Sequence, residues 1–168
     1  VMAPAGTKLD RVMVVGLGKA EDITELEMQK LGGRIYAGTR QAKKGTVAIA
    51  VDAVKDAKMS AGDIAAEVAY GTQLRSYKFD KYKTKQKPAD KASLKTVTLH
   101  CAGFANGRKK YAGLGKIANG VFFTRDLGSE PPNVLYPDTL AKQAKTLEKL
   151  GVKVQILGEA QMRRLGMG

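Results

Sequence analysis

The residues of this chain that could do chemistry are few and scattered. Its one histidine and one cysteine are adjacent, as His100-Cys101. A thiolate nucleophile needs its base within hydrogen-bond reach, but neighbours on a strand point to opposite faces. The pair therefore reads as a packed core cysteine beside an incidental histidine. With one of each, neither a zinc-type Cys/His cluster nor an internal disulfide can form. The carboxylates Asp56, Asp63 and Glu67 have no partner that sequence spacing would place with them on a metal ion. The glycine-rich stretch "VVGLGKAED" (14–22) lacks the third glycine of a dinucleotide fingerprint, and Glu21 in its place would face a pyrophosphate with a negative charge. It also fails as a Walker loop, because Ala20 stands where a Ser or Thr would hold magnesium. A structural turn between strand and helix is the better reading. No catalytic, cofactor-binding or metal-binding residue is assigned.

The segment "RSYKFDKYKTKQKPADKASLK" (75–95) carries Arg75, Lys78, Lys81, Lys83, Lys85, Lys87, Lys91 and Lys95 against Asp80 and Asp90, with Tyr77, Phe79 and Tyr82 interleaved. Cations among aromatics suit a nucleic-acid backbone and its bases. A solvated loop with its aromatics folded inward explains the same residues, and is preferred. The net charge of +13 keeps two explanations open: an electrostatic partner, or a piece of a larger protein with acidic parts elsewhere. At 168 residues with 43% apolar side chains, the chain can bury a core. The lone cysteine fits a reducing, cytoplasmic setting, and neither a membrane span nor a signal peptide is expected.

The elements that must position these residues alternate. "RVMVVG" (11–16) reads as a buried strand, followed by a helical pattern over 23–40 interrupted at Gly32-Gly33. "TVAIAV" (46–51) is a second buried strand. Ser60 as N-cap and Asp63 at N3 open a helix to about Tyr77, with Ile64, Val68, Tyr70, Gly71, Leu74 and Tyr77 on one broad stripe. "SLKTVTLHCA" (93–102) is a third strand, with Cys101 buried in it, and 107–127 a long helix. The order predicts a largely parallel or mixed sheet flanked by helices. Past Glu130-Pro131-Pro132-Asn133, a helix begins at Pro137 or Asp138 and stops at Gly151, "VKVQIL" (152–157) alternates as a strand, and "EAQMRRLGMG" starts another helix.

The segments "VVGLGK", "LRSYKFDKYKTK", "GVFFTRDLGSEPPNVLYP" and the final "LGMG", in this order and at about this spacing, resemble the leucine aminopeptidase family of cytosolic metallopeptidases along nearly the whole chain. The resemblance implies an N-terminal α/β domain, similar to macro domains, joined by a long helix to a C-terminal catalytic domain. On this chain it implies an N-terminal domain over 1–106, incomplete at its start, a linking helix and junction over 107–132, and the beginning of the peptidase domain over 133–168. Glu130-Pro131-Pro132-Asn133 then marks the exit from the linking helix, since Pro132 disfavours helical geometry at Pro131 and Asn133 can turn the chain. Gly128 departs from the family, which often has an apolar residue there. The family removes N-terminal residues from peptides with two divalent metals (zinc, manganese or magnesium) and assembles as hexamers. Its metal-binding segments "GKGxTFDSGG" and "NTDAEGR" do not occur in this sequence. The expectation is a structural or oligomer-forming portion of such an enzyme, inactive alone. The competing expectation is a nucleic-acid-binding module built on 75–95.

Overall fold

The computed structural model describes residues 4–43, 45–87 and 90–167. Lys44 and, within the basic segment, Pro88 and Ala89 lie outside the described residues, as do residues 1–3 and 168. The chain forms two compact units, residues 1–122 and 123–168.

In the first unit, helix α1 (Glu25–Thr39) begins where the Thr24 hydroxyl accepts the Glu27 N–H. Strand β1 (Thr46–Val51) follows, then α2 (Ala61–Ser76), β2 (Thr96–Cys101) and the start of α3 (Phe104–Ser129). The expected cap of α2 is present in full: Ser60 Oγ accepts the Asp63 N–H at 3.1 Å, and the Asp63 carboxylate accepts the Ser60 N–H in return. β1 and β2 pair in parallel from Thr46 opposite Thr96 to Val51 opposite Cys101. Alternation gives the sheet two unlike faces. Val47, Ile49, Val51, Val97, Leu99 and Cys101 turn toward the helices, and Thr46, Ala48, Ala50, Thr96, Thr98 and His100 are exposed on the other side. The core joins Ile23, Met28, Leu31 and Ile35 to Ile64, Val68 and Val51.

Gly32 and Gly33 do not interrupt α1, contrary to the sequence reading. α1 and α2 cross at glycines: a Cβ on Gly32 would collide with the Val68 carbonyl oxygen, and one on Gly71 with that of Gln29. The glycines are there because another backbone is, and the helix continues through them.

The strand expected at 11–16 does not form. Arg11 forms a single bridge and residues 12–16 have no regular structure, with Met13, Val14 and Val15 exposed, and Arg11 Nη2 tethers the segment to the end of α1 by donating to the Gly38 carbonyl at 2.6 Å. A strand needs a ladder along its length, and the two-stranded sheet of the described residues is made by β1 and β2. Cys101 is half-buried rather than buried. In the loop after α2 the lysines stand in solvent as expected, but Tyr82 is exposed and not folded inward. Lys81, Lys83, Lys85 and Lys87 are exposed, the Phe79 and Tyr82 rings meet at 5.8 Å, and Lys83 pairs with Asp80 at 2.9 Å.

Helix α3 runs unbroken through Gly128 to Ser129. In the second unit, Glu130 to Asn133 leads into a turn in which the Val134 and Leu135 N–H groups both donate to the Pro131 carbonyl. Helix α4 (Pro137–Lys145) has proline in its first turn, and its free end is capped by Thr139, whose hydroxyl accepts the Tyr136 N–H at 2.9 Å. A 3-10 turn, Thr146–Leu150, ends at Gly151 in the left-handed conformation, φ 84°. The strand expected at 152–157 is irregular, and helix α5 (Glu159–Arg164) follows it. No described residue of 123–167 is fully buried, so the alternation of 152–157 has no layer to pack against.

Candidate functional site

The charged centre of the first unit is Glu67. Its side chain is 1% exposed and meets Lys110 Nζ at 2.9 Å, while Gln29 Nε2 donates to its other oxygen at 2.8 Å. Lys110, from α3, also holds Glu25 at 2.8 Å and comes within 3.9 Å of Asp63. One ammonium thus gathers carboxylates from α1 and α2. Burial pulls the Lys110 pKa down, but the hydrogen bonds and charges of Glu25 and Glu67 outweigh it, and the group ends above its ordinary value. Asp63 is held below the usual carboxylate range, first by the Ser60 hydroxyl and more weakly by Lys110, against the opposing effect of burial. Of the carboxylates considered in the sequence, Asp63 and Glu67 come together and Asp56 does not join them. The signal that sequence reasoning missed is Lys110, a lysine on the inner face of a helix otherwise read as a spacer.

The network belongs to a seam between α2 and α3. Gly62 and Gly107 touch through their backbones, and a Cβ on Gly107 would lie 2.7 Å from the Gly62 carbonyl oxygen. Next come Glu67 with Lys110, then Gln73, which accepts from the Tyr111 hydroxyl at 2.9 Å and donates to Asn119, and last the Tyr77 and Phe122 rings at 5.2 Å. The contacts advance in the same order along both helices, so α2 and α3 run parallel. Burial raises the Tyr111 pKa.

Between this seam and β2 lies a cleft of about 680 Å³. Ala65 and Ala69 of α2, Leu99 and Cys101 of β2, and Phe104 and Tyr111 of α3 are among its walls. Its charged lining residues are Lys95 and Arg108. His100 lies on the opposite face of β2 from Cys101, so the two do not form a nucleophile and base.

The glycine-rich turn, with Gly18 at φ 80°, leads through a 3-10 turn, Ala20–Asp22, into α1. The hollow beside it is lined by Glu21, Asp22 and Glu27 together with Arg34. Three carboxylates repel a pyrophosphate, in keeping with a purely structural turn. Among the described residues no group of three His, Cys, Asp or Glu side chains is placed to hold a metal ion, and no helix is long and apolar enough to cross a membrane.

These features define an α/β fold, and comparison with known proteins gives its lineage. The model of the N-terminal domain of the cytosol aminopeptidase family matches residues 1–86. The chain belongs to that family. A "Probable cytosol aminopeptidase" of Bradyrhizobium sp. (strain BTAi1) is 42% identical over 168 residues, covering all of this chain and 33% of that protein. The protein of the same name from Afipia carboxidovorans is 44% identical over 172 residues, again with 100% of this chain and 33% of the relative covered. The chain spans about a third of the length of the curated relatives it matches. Among solved structures, the bottromycin maturation enzyme BotP superposes with a TM-score of 0.71 at 21% identity, over 91% of this chain and 32% of that one. This is a likeness of fold.

Proposed function

We propose that this chain is the N-terminal scaffold portion of a leucyl aminopeptidase, an enzyme that removes N-terminal residues from peptides with two divalent metals. The observation that carries the reading is the match of all 168 residues to cytosol aminopeptidases about three times as long. In this reading residues 1–106 form the N-terminal domain, 107–132 the linking helix and junction, and 133–168 the opening of the catalytic domain. In this reading the complete protein would take its Lewis-acid chemistry from two divalent ions, zinc, manganese or magnesium. The residues present here do not fit such a centre. Where carboxylates do converge, at Glu25, Asp63 and Glu67, the Lys110 ammonium already stands among them. The part played by this chain is to hold architecture and to contribute surface to a cytoplasmic homo-hexamer.

The test is an assay of the purified 168-residue chain on leucine p-nitroanilide with manganese or zinc. No turnover is expected. Metal-dependent turnover that survives chelation and readdition in a contaminant-free sample would overturn the reading.

A further inference from the structure

Residues 77–95 connect α2 to β2, and among their described residues there is no α-helix or strand. Connections longer than about 12–15 residues without secondary structure are uncommon in compact domains and usually carry a function. This one is staked at both ends. At its start the Tyr77 ring packs on Phe122 at 5.2 Å, and at its finish the Ser93 and Leu94 N–H groups donate to the Arg40 carbonyl and those of Lys95 and Thr96 to the Gly45 carbonyl. Between the stakes Lys81, Lys83, Lys85 and Lys87 are exposed, and the Asp80 carboxylate takes both Lys83 and a hydrogen bond from Gln86 of the same loop. A protease binds its substrate as an extended stretch of backbone, which an exposed loop can offer and a helix cannot without local unfolding.

What spans the loop decides what a cut would do. α1, β1 and α2 precede it, and β2 and α3 follow. The two sides are joined by the ladder from Thr46 opposite Thr96 to Val51 opposite Cys101, by Lys110 with Glu25 and Glu67, by the Gly62–Gly107 backbone contact, and by the Tyr111 hydroxyl donating to Gln73. None of these contacts uses residues 78–92.

We propose that residues 81–87 are a processing site for a lysine-directed endoprotease, and that the first unit stays assembled after the cut as two non-covalently joined pieces. Water adds across the Lys83–Thr84 or Lys85–Gln86 peptide bond and the C–N bond breaks, leaving a carboxylate on the lysine and an ammonium on the residue after it. The exposed lysine ammonium is what the acidic specificity pocket of such a protease takes. The basic run then serves a protease and not a phosphate backbone.

The test is brief treatment of the chain with trypsin, with the fragments weighed under denaturing and native conditions. Cleavage after Lys83 or Lys85 should be at least about 10-fold faster than after Lys30, Lys109 and Lys116, which are also exposed but lie within α1 and α3. Under native conditions the pieces on the two sides of the cut should appear as one complex, elute with the uncut chain on size exclusion and keep its far-ultraviolet circular dichroism. Lys81→Gln, Lys83→Gln, Lys85→Gln and Lys87→Gln combined should abolish the early cut between α2 and β2. Cleavage at the helical lysines at an equal rate, an early cut in 77–95 that persists in the quadruple variant, or pieces that separate or lose their helical signal would overturn the proposal.

Discussion

Replacing Lys110 with Met isolates the charge that holds α3 against α1 and α2. In the native chain Glu67 is 1% exposed and its charge is met by Lys110 at 2.9 Å. Removing one partner of a buried pair leaves an uncompensated charge and costs about 3–5 kcal/mol. For a domain of this size each kcal/mol lowers the melting temperature by about 2–4 °C, so Lys110→Met should lower it by about 6–20 °C. Lys110→Met combined with Glu67→Leu should recover most of the loss, because an apolar pair of similar volume avoids the desolvation of both charges. Urea and thermal unfolding followed by circular dichroism give the four corners of the cycle. The pH dependence has a definite sign. Lys110 is raised above 10.5, so its contribution is complete below that pH and is lost as pH climbs through the folded-state value. Asp63 is lowered from 3.8, so its contribution is complete above that pH and is lost as pH falls through the folded-state value. A single-variant loss under about 1 kcal/mol, or a double variant no better than the single, would refute the buried-pair argument.

Glycines in helices should divide by what faces them. Gly71→Ala drives a methyl into the Gln29 carbonyl and should cost about 1–3 kcal/mol or more, whereas Gly113→Ala meets open space and should stabilise by up to about 1 kcal/mol; urea midpoints of both variants check this. Changing Lys81, Lys83, Lys85 and Lys87 to Gln should leave the unfolding midpoint unchanged, since all four are exposed. The same chain should show no tight DNA binding in a gel shift at physiological salt; tight binding lost in the quadruple variant, with a salt slope flatter by roughly 3.6, would favour the nucleic-acid reading.

Much of the first unit was legible because its signals are local. Ser60 and Asp63 announce the start of α2 within four residues, and β2 shows its alternation, whereas β1, expected to be buried, exposes Thr46, Ala48 and Ala50 because one face of the sheet is bare among the described residues. The turn at Pro131 and the stop at Gly151 are equally local. What was not legible depends on neighbours far away in sequence. Gly32 reads as a helix break until Val68 of α2 is seen against it. Lys110 is ordinary until α3 lies beside Glu67. Residues 11–16 and 152–157 have strand composition, but a strand is a relation between two segments, and among the described residues 11–16 carry a single bridge at Arg11 and 152–157 no regular structure. The cleft was invisible for the same reason, since its walls come from four elements. Family membership came from motif order, which needs no tertiary contact.

The most direct test of the central claim is the metal stoichiometry of the 168-residue chain and of the complete polypeptide by native mass spectrometry in manganese or zinc. The account predicts two divalent ions on the complete polypeptide and none held stoichiometrically by the 168 residues, whose converging carboxylates are occupied by Lys110. Two ions on the short chain, or none on the complete one, would contradict it.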